Sequence, residues 1–303
     1  MAGPILVTGG TGQLAQALAA AKGSRALRVV GRPECDFDHL AGLPALLAQL
    51  RPSLVVNAAA YTAVDRAESD AAAAWRANRD GPAVLAAWCA GAGIPLVQVS
   101  TDFVFDGGKG APYVEGDAPN PTSVYGASKL AGEQAALAVC PQAVVLRTSW
   151  VYAASGRNFV LTMLNLARTR DHLRVVADQR GCPTAAADLA DAILGIADAI
   201  AAQGWQDRFG GVFHACGGGE TTWHGLASAA IARAGAHGVP QPRAIDAIAT
   251  AEFPTPVKRP ADSRLDCTRL HDVFGLRLPH WEDALDRTIA AVFTRPAAAA
   301  GGG

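Results

Sequence analysis

Two residues of this chain have side chains and a spacing suited to acid–base chemistry. Tyr125 and Lys129 lie four residues apart in the segment Val124–Leu130. On an α-helix, residues i and i+4 occupy the same face, so the phenol and the ammonium would project side by side. A free tyrosine has a pKa of about 10 and is a poor acid at neutral pH, but a neighbouring ammonium favours the phenolate and lowers that pKa. The pair is therefore a candidate proton donor, although the same spacing also occurs on ordinary surface helices.

A glycine-rich turn near the N-terminus is the second candidate site. The apolar run Pro4–Val7 is followed by Thr8–Ala15, which reads Thr-Gly-Gly-Thr-Gly-Gln-Leu-Ala, and then by a helical pattern over Gln16–Ala21. A strand, a glycine turn and a helix in this order are typical of a dinucleotide-binding site. Gly9 permits the tight turn, and Gly12 lets the backbone approach a pyrophosphate at the N-terminus of the helix. The alternative is an ordinary glycine-rich turn.

The elements that must position these residues alternate through the first half of the chain. Short apolar runs of the kind buried in a parallel sheet are separated by alanine-rich, helix-like segments. This alternation predicts an α/β fold with a doubly wound parallel sheet of the Rossmann type over residues 1–150, to which strands near 173–176 and 211–214 return. Residues 151–170 and 216–294 are predicted to form a smaller α/β substrate-binding domain.

The composition is that of a globular enzyme and argues against several kinds of partner. With 303 residues, 17% of them charged, and a net charge of −1, the chain has no basic excess for a nucleic acid or an anionic membrane. The apolar stretches 83–99 and 185–202 are interrupted by Gly, Pro or Asp, and neither supplies about twenty uninterrupted apolar residues.

The six cysteines are scattered, so we expect free thiols in a reducing cytoplasm, no metal site and no disulfide framework. We expect no signal peptide, and the tail 295–303, rich in alanine and glycine, is predicted to be disordered.

Seven motifs, taken together and in order, resemble one group of enzymes. They are Asn57–Asp65, Ser100–Gly107, Val124–Glu133, Arg147–Tyr152, Asp178–Thr184, Thr221–His224, and Arg259–Pro260 with Ser263–Leu265. In these motifs the chain resembles the extended short-chain dehydrogenase/reductase superfamily and, within it, the dTDP-4-dehydrorhamnose reductases. The resemblance implies reduction of the C4 keto group of dTDP-4-dehydro-6-deoxy-L-mannose to dTDP-L-rhamnose by hydride from NADPH or NADH, in the synthesis of a cell-surface polysaccharide precursor. The alternatives are a reductase or epimerase of another nucleotide-linked keto-deoxysugar, or a non-catalytic regulatory subunit with this fold.

The resemblance also implies roles for individual side chains around the reacting carbonyl. Tyr125 would donate the proton, and Lys129 would hold the nicotinamide ribose and tune the phenol. Thr101, after the apolar run 96–100, would donate to the substrate carbonyl or to Tyr125, although on its own it is an ordinary strand-end residue. Asp102 and Trp150 match substrate-binding positions, and Trp150 can equally be a core aromatic residue.

The cofactor-binding residues are expected in four groups along the first half of the chain. The end of the second strand lacks the usual acidic residue and has Gly31 and Arg32 instead, which suits the 2′-phosphate of NADPH, with NADH as the second possibility. The alternative for Arg32 is a solvated surface charge. By resemblance, the remaining cofactor contacts are Gln13 and Leu14 with Gly12 at the pyrophosphate, Asp36 and Phe37 at the adenine, and Ala60, Tyr61 and Thr62 in the loop after the third strand.

In the second half, Arg259 is the expected contact of the substrate diphosphate, with Lys258 as the alternative, and Asn158 is a further candidate. His214 and His224 are interpreted as structural.

Some reductases of this group dimerise through a magnesium ion held by glutamates, one of them on the helix after the glycine turn. Ala17 stands at that position and offers no oxygen ligand, so we expect no dependence on magnesium in a monomer or homodimer.

Overall fold

The apolar runs of the sequence form strands in a computed structural model that describes residues 3–294. In chain order the strands are β1 (Ile5–Thr8), β2 (Leu27–Val30), β3 (Leu54–Asn57), β4 (Leu96–Thr101), β5 (Ala143–Thr148), β6 (Val151–Tyr152), β7 (His172–Val176), β8 (Arg180–Gly181), β9 (Thr184–Ala185), β10 (Gly211–His214), β11 (Thr221–Thr222) and β12 (Ala244–Ile248).

Helices connect most of these strands. They are α1 (Gln13–Ala21), α2 (Leu43–Leu50), α3 (Val64–Ala67), α4 (Ala71–Trp75), α5 (Gly81–Ala92), α6 (Val124–Val139), α7 (Phe159–Ala167), α8 (Ala186–Gln203), α9 (Trp223–Gly235), α10 (Thr268–Phe274) and α11 (Trp281–Thr294). A π-helical turn (Arg76–Asp80) follows α4 directly, and short 3-10 turns span Leu40–Gly42, Asp102–Val104, Asp207–Phe209 and Thr250–Glu252. Within residues 3–294, no helix combines the length and apolarity required to cross a membrane.

Six strands form one parallel sheet in the order β10-β5-β4-β3-β1-β2. Its four central strands, β1, β3, β4 and β5, are buried on both faces; Val55 and Val56, for example, are fully buried side by side although they point to opposite faces. Helices α1 and α8 pack together on one side of the sheet, and α5 and α6 pack together on the other. Because the chain order reverses between β1 and β3, the carboxyl ends of these strands flank a crevice, which is where such sheets bind ligands. The predicted doubly wound parallel fold is confirmed.

The strand predicted at 173–176 does not return to this sheet, and that prediction is wrong. It forms β7, which pairs with β12 in a separate two-stranded sheet. Leu173 and Val175 are buried against α7, α9 and α11, while His172 and Arg174 are exposed. Such alternation belongs to a strand with one buried face, whereas the central strands of the main sheet are buried on both faces. The strand predicted at 211–214 does return, as β10 beside β5. The tail 295–303 lies outside the described residues.

Candidate active site

A cleft of about 1430 Å³ runs along the carboxyl ends of β1 to β5 and continues to Trp223 and Arg259 in the second half of the chain. Asp36 and Asn158, both predicted as ligand contacts, do not line it. Its lining includes the other predicted site residues, which are Gly9, Gly12, Gln13, Leu14, Arg32, Phe37, Ala60, Tyr61, Thr62, Thr101, Asp102, Tyr125, Lys129, Trp150 and Arg259.

The glycine turn brings backbone rather than side chains to one end of the cleft. Gly9 has a φ of 104°, and a Cβ there would lie 3.0 Å from the carbonyl carbon of Ala58. Gly12 precedes the first residue of α1, and its side-chain-free backbone leaves the N-terminal N–H groups of the helix open. A helix N-terminus reached without side chains favours a phosphate group. The turn therefore fits the pyrophosphate of a dinucleotide.

Arg32 lies at the end of β2, beside a close contact between two backbones. A Cβ on Gly31 would lie 2.5 Å from the Cα of Gly10, so no carboxylate side chain fits at that position. The guanidinium of Arg32 donates to Asp36 over 2.8 Å and also to Asp38. Arg32 is thus a cleft residue paired with two carboxylates, and its side chain is 67% exposed, as the alternative of a solvated surface charge also requires.

Asp36 holds the loop between Arg32 and Asp38 by hydrogen bonds and does not line the cleft. Its carboxylate accepts hydrogen bonds from the Asp38 backbone N–H at 3.0 Å and from Arg32. The Asp38 N–H, with His39 and Arg32, lowers the pKa of Asp36 to about 2. A permanently charged Asp36 therefore shapes the loop between Arg32 and Asp38, while its predicted neighbour Phe37 does line the cleft and is buried against α5.

The loop after β3 is held by a residue that the motif comparison missed. The Asn78 side chain accepts from the backbone N–H of Tyr61 at 2.8 Å and donates to its carbonyl oxygen at 3.1 Å. Asn78 also donates to Ser128 Oγ at 3.0 Å, which ties the loop to α6. The Tyr61 phenol donates to Asp70 at 3.1 Å. Only the π-helical turn brings Asn78 to this place, and no local sequence signal marks it.

Thr101, Tyr125 and Lys129 are buried together at the centre of the cleft. Helix α6 begins after Ser123, whose hydroxyl accepts from the Gly126 N–H at 3.1 Å, and its first two turns carry Tyr125 and Lys129. The Lys129 ammonium donates to the Val99 carbonyl oxygen at 2.6 Å. Thr101 ends β4, and its hydroxyl donates to the Asp102 carboxylate at 3.1 Å. Two rigid elements therefore hold the predicted catalytic set.

Burial controls the protonation of this set, which corrects the expectation for Tyr125. Loss of solvent raises the pKa of Tyr125 to about 12; the Thr101 hydroxyl opposes the rise and the Asp102 carboxylate adds to it. Burial lowers the pKa of Lys129 to about 8, with the charge of Glu133 opposing the change. The lowered pKa expected for Tyr125 is wrong because its desolvation is the dominant effect.

Asp102 presents a buried acceptor to the same region. Asp102 is among the residues that line the cleft but is only 2% exposed, and within residues 3–294 its buried Oδ2 atom makes no hydrogen bond of good geometry. Burial raises the pKa of Asp102 to about 6, although the nearby hydroxyls of Ser263 and Thr101 oppose the rise. A buried oxygen without a donor is costly unless a ligand supplies one.

Two stacked tryptophans form the far wall of the cleft. The Trp150 and Trp223 rings lie 3.6 Å apart between centroids with an interplanar angle of 7°. The Trp223 indole N–H donates to Gln179 at 3.1 Å, and Phe159 packs at 4.6 Å from its ring. Trp150 therefore packs against the hydrophobic core formed by α7, α9, α11 and β7, and it also lines the cleft. Trp223 was missed as a site residue, although it lies within the motif Thr221–His224.

Among the candidates in the second half, only Arg259 lines the cleft. Arg259 donates to the Asp65 carboxylate at 2.7 Å. This bond connects the segment between the Thr250–Glu252 turn and α10 to α3. Lys258 is exposed outside the lining. Asn158 caps α7 by accepting from the Leu161 N–H at 3.0 Å, and its amide N–H group donates to Gln13 and to the Ala153 carbonyl oxygen. These bonds use the amide of Asn158, which lies outside the lining of the cleft and is joined to it through Gln13.

The two histidines bond to backbone atoms away from the cleft. His214 is fully buried, with Nδ1 at 3.1 Å from the carbonyl oxygens of Tyr113 and Asp266, and burial lowers its pKa to about 4. His224 Nε2 lies 2.9 Å from the Ile245 carbonyl oxygen. Both contacts agree with the structural interpretation.

Comparison with known proteins identifies relatives over nearly the whole chain. A family model described as "RmlD substrate binding domain" matches residues 3–294. A Sinorhizobium fredii protein is 44% identical over 289 residues, covering 95% of this chain and 97% of that protein. A Salmonella typhimurium protein is 40% identical over 296 residues, covering 96% of this chain and 98% of its own length. Both of these proteins are named dTDP-4-dehydrorhamnose reductase.

Solved structures of similar proteins have the same fold. A Clostridium acetobutylicum dTDP-4-dehydrorhamnose reductase superposes with a TM-score of 0.86 at 34% identity, covering 95% of this chain and 98% of that one. A Bacillus anthracis dTDP-4-dehydrorhamnose reductase in complex with NADP gives a TM-score of 0.87 at 30% identity, covering 96% of this chain and 99% of that one. The similarity extends across both sides of the cleft.

Proposed function

Because this chain belongs to the RmlD substrate-binding-domain family, we propose that it reduces dTDP-4-dehydrorhamnose to dTDP-L-rhamnose. The observation that carries the proposal is the buried group of Thr101, Tyr125 and Lys129 in a cleft that also contains the glycine turn. This combination supports binding of a dinucleotide beside a proton donor in one cleft. We also propose a cytoplasmic location, since all six cysteines are free thiols, as in proteins of a reducing compartment.

The dinucleotide, when bound, supplies a hydride to C4 of the sugar. Tyr125, with a pKa of about 12, keeps its proton at any working pH and can give it to the oxygen that becomes negative at C4. The Thr101 hydroxyl can turn from Asp102 and donate to the same oxygen. The Lys129 ammonium can then stabilise the phenolate that Tyr125 leaves behind, which burial alone disfavours.

The substrate is proposed to lie between Asp102 and the tryptophan wall. A sugar hydroxyl donating to Asp102 Oδ2 would satisfy the buried oxygen that lacks a donor. The stacked rings of Trp150 and Trp223 offer an apolar surface of the kind that sugars and bases pack against. Arg259, oriented by Asp65, is the proposed contact of the diphosphate. NADPH is the proposed cofactor, as the NADP complex of the Bacillus anthracis relative supports, and NADH is the second possibility.

The test is a cofactor-oxidation assay with dTDP-4-dehydrorhamnose and identification of the product. The proposal requires one molecule of NADPH or NADH oxidised for each sugar reduced, with dTDP-L-rhamnose formed. An epimerase would change the sugar without net consumption of the reduced cofactor. A non-catalytic subunit would bind the dinucleotide without any turnover.

Tyr125→Phe is expected to reduce turnover by about 10²- to 10⁴-fold, which is the usual contribution of a general acid. Affinity for the dinucleotide should change little, because the ring still packs and only the hydroxyl is lost. Steady-state kinetics and a fluorescence titration with the cofactor measure the two effects. Tyr113→Phe is the control, because it removes a phenol that donates to Asp106 outside the cleft. Near-normal kcat in the Tyr125 variant would exclude this residue as the proton donor.

A further inference from the structure

Asp38 lies between two guanidinium groups at the end of the cleft nearest β2. Its Oδ1 accepts from Nε of Arg76 at 2.9 Å and from Nη2 at 2.6 Å. Its Oδ2 accepts from Arg32. All three side chains line the cleft, and each is partly exposed to it. One carboxylate thus holds two cations at the point where the adenosine ribose of a dinucleotide is bound in this fold.

The π-helical turn selects which arginine reaches the cleft. Arg76 and Arg79 are both in this turn, but Arg79 pairs with Asp80 at 2.6 Å and lies 5.1 Å from the centroid of the Trp75 ring. Arg79 does not line the cleft. π-turns are concentrated at functional sites, and here the turn is fixed by the fully buried Asn78. Arg76 is therefore held in place by a constrained piece of backbone.

We propose that Arg32 and Arg76 together bind the 2′-phosphate of NADPH, and that Asp38 limits how strongly they do so. This inference rests on the proposed function and names the residues that set its cofactor specificity. A 2′-phosphate brings a charge of about −1.5 to −2 and three acceptor oxygens, which match the donors that two guanidiniums offer. Asp38 competes for the same donors and repels the phosphate. The site therefore favours NADPH only moderately and still accepts NADH.

The experiment compares binding of 2′,5′-ADP and 5′-AMP by isothermal titration calorimetry, because the two fragments differ only in the 2′-phosphate. Wild type should bind 2′,5′-ADP more tightly. Arg76→Gln should reduce that preference by about 10- to 100-fold, the usual range for one charged hydrogen-bonding group, with 5′-AMP affinity unchanged. Arg32→Gln should act in the same direction. Asp38→Asn should increase the preference.

Arg79→Gln and Asp80→Asn are the matched controls, since they make the same substitutions in the neighbouring pair outside the cleft. Thermal melts of every variant verify folding. Equal affinity of the wild-type protein for the two fragments would overturn the inference, and so would equal effects of Arg76→Gln and Arg79→Gln. Fragment binding does not depend on turnover, so a lost phosphate preference in the Arg76 variant supports this inference even if the keto sugar is not reduced. Reduction of the keto sugar with an unaltered preference in that variant would overturn the inference alone.

Discussion

Lys129 and Tyr125 share one buried environment that moves their pKa values in opposite directions. Since Tyr125 stays protonated, the charge on Lys129 is the protonation state of this pair that changes on the alkaline side of neutrality. Its pKa of about 8 is below the ordinary value, so the ammonium becomes a neutral amine as the pH rises through about 8. The neutral amine cannot stabilise the phenolate that forms when Tyr125 donates its proton.

We therefore expect kcat/KM for the keto sugar to fall as the pH rises above about 8. Lys129→Met should have a lower rate without this alkaline decline, and it should also bind the dinucleotide more weakly. Lys109→Met, which removes a lysine paired with Asp117 outside the cleft, should keep the wild-type profile. A Lys129 variant that still shows the same alkaline decline would assign the titration to another group.

Asp102 is a functional residue that reduces stability. Its pKa of about 6 in the folded protein exceeds the ordinary 3.8, so between these pH values the folded protein keeps a proton that the unfolded chain releases. The free energy of unfolding therefore falls as the pH rises through this window and stays lower above it. Asparagine carries no charge and can still accept the hydrogen bond from Thr101.

Asp102→Asn should accordingly raise the free energy of unfolding at neutral pH by up to about 3 kcal/mol, the equivalent of the pKa difference, while impairing turnover. The gain should disappear below pH 3.8, where aspartic acid is neutral in both states. Urea unfolding at several pH values measures this. Asp106→Asn is the control and should lower the free energy of unfolding at neutral pH. Hydrogen bonds from the Gly108 N–H, Asn120 and Tyr113 lower the pKa of Asp106, so its charged form stabilises the folded protein. Equal destabilisation of both variants at neutral pH would contradict the argument.

The π-helical turn (Arg76–Asp80) positions residues on two sides of the cofactor end of the cleft. Asn78 makes two hydrogen bonds to the backbone of Tyr61 and one to Ser128. Asn78→Ala would leave the backbone N–H and carbonyl of Tyr61 without these partners, at a cost of about 1–3 kcal/mol for each group that stays buried. The loop over residues 60–62 would lose its attachment to α6.

We expect Asn78→Ala to lower the free energy of unfolding by about 2–4 kcal/mol and to weaken dinucleotide binding. Chemical denaturation and cofactor titration measure the two effects. Asn120→Ala is the control, since Asn120 donates one exposed hydrogen bond to Asp106 and should cost much less. A stable Asn78 variant with normal cofactor affinity would show that the loop after β3 is held by other contacts.

The elements also show what the sequence could and could not predict. Continuous apolar runs and a glycine turn were enough to predict the main sheet and the position of the cleft, because both depend on local patterns. The strand at 173–176 was assigned to the wrong sheet because its pairing partner, β12, lies some seventy residues later in the chain. The roles of Asn78 and Trp223 depend on contacts between distant segments. The pKa of Tyr125 depends on burial, which residue spacing does not report.

The cleft lies between two hydrophobic cores of the molecule. One core joins the main sheet to α8, and the other joins α7, α9 and α11 to β7. The ion pair between Asp65 and Arg259 connects the two sides at 2.7 Å. Substrate and dinucleotide are thus expected to bind between the two cores. The paired charges of the cleft and the buried carboxylate of Asp102 therefore interrupt neither core.

Helix α1 carries no carboxylate at position 17, which bears on metal binding and assembly. Ala17 is partly buried on α1, where it packs against the core of the main sheet and presents a methyl group instead of a carboxylate. Within the part of the chain described, 3–294, no group of three His, Cys, Asp or Glu side chains is arranged to hold a metal ion. Magnesium requires hard, charged oxygen ligands. We therefore expect turnover and oligomeric state, whether monomer or homodimer, to be the same with EDTA and with added Mg²⁺. Parallel assays and size-exclusion runs with light scattering measure both, and a chelated sample returned to Mg²⁺ controls for damage during treatment. Dissociation or a large loss of rate on chelation, reversed by Mg²⁺, would show that other carboxylates bind the ion.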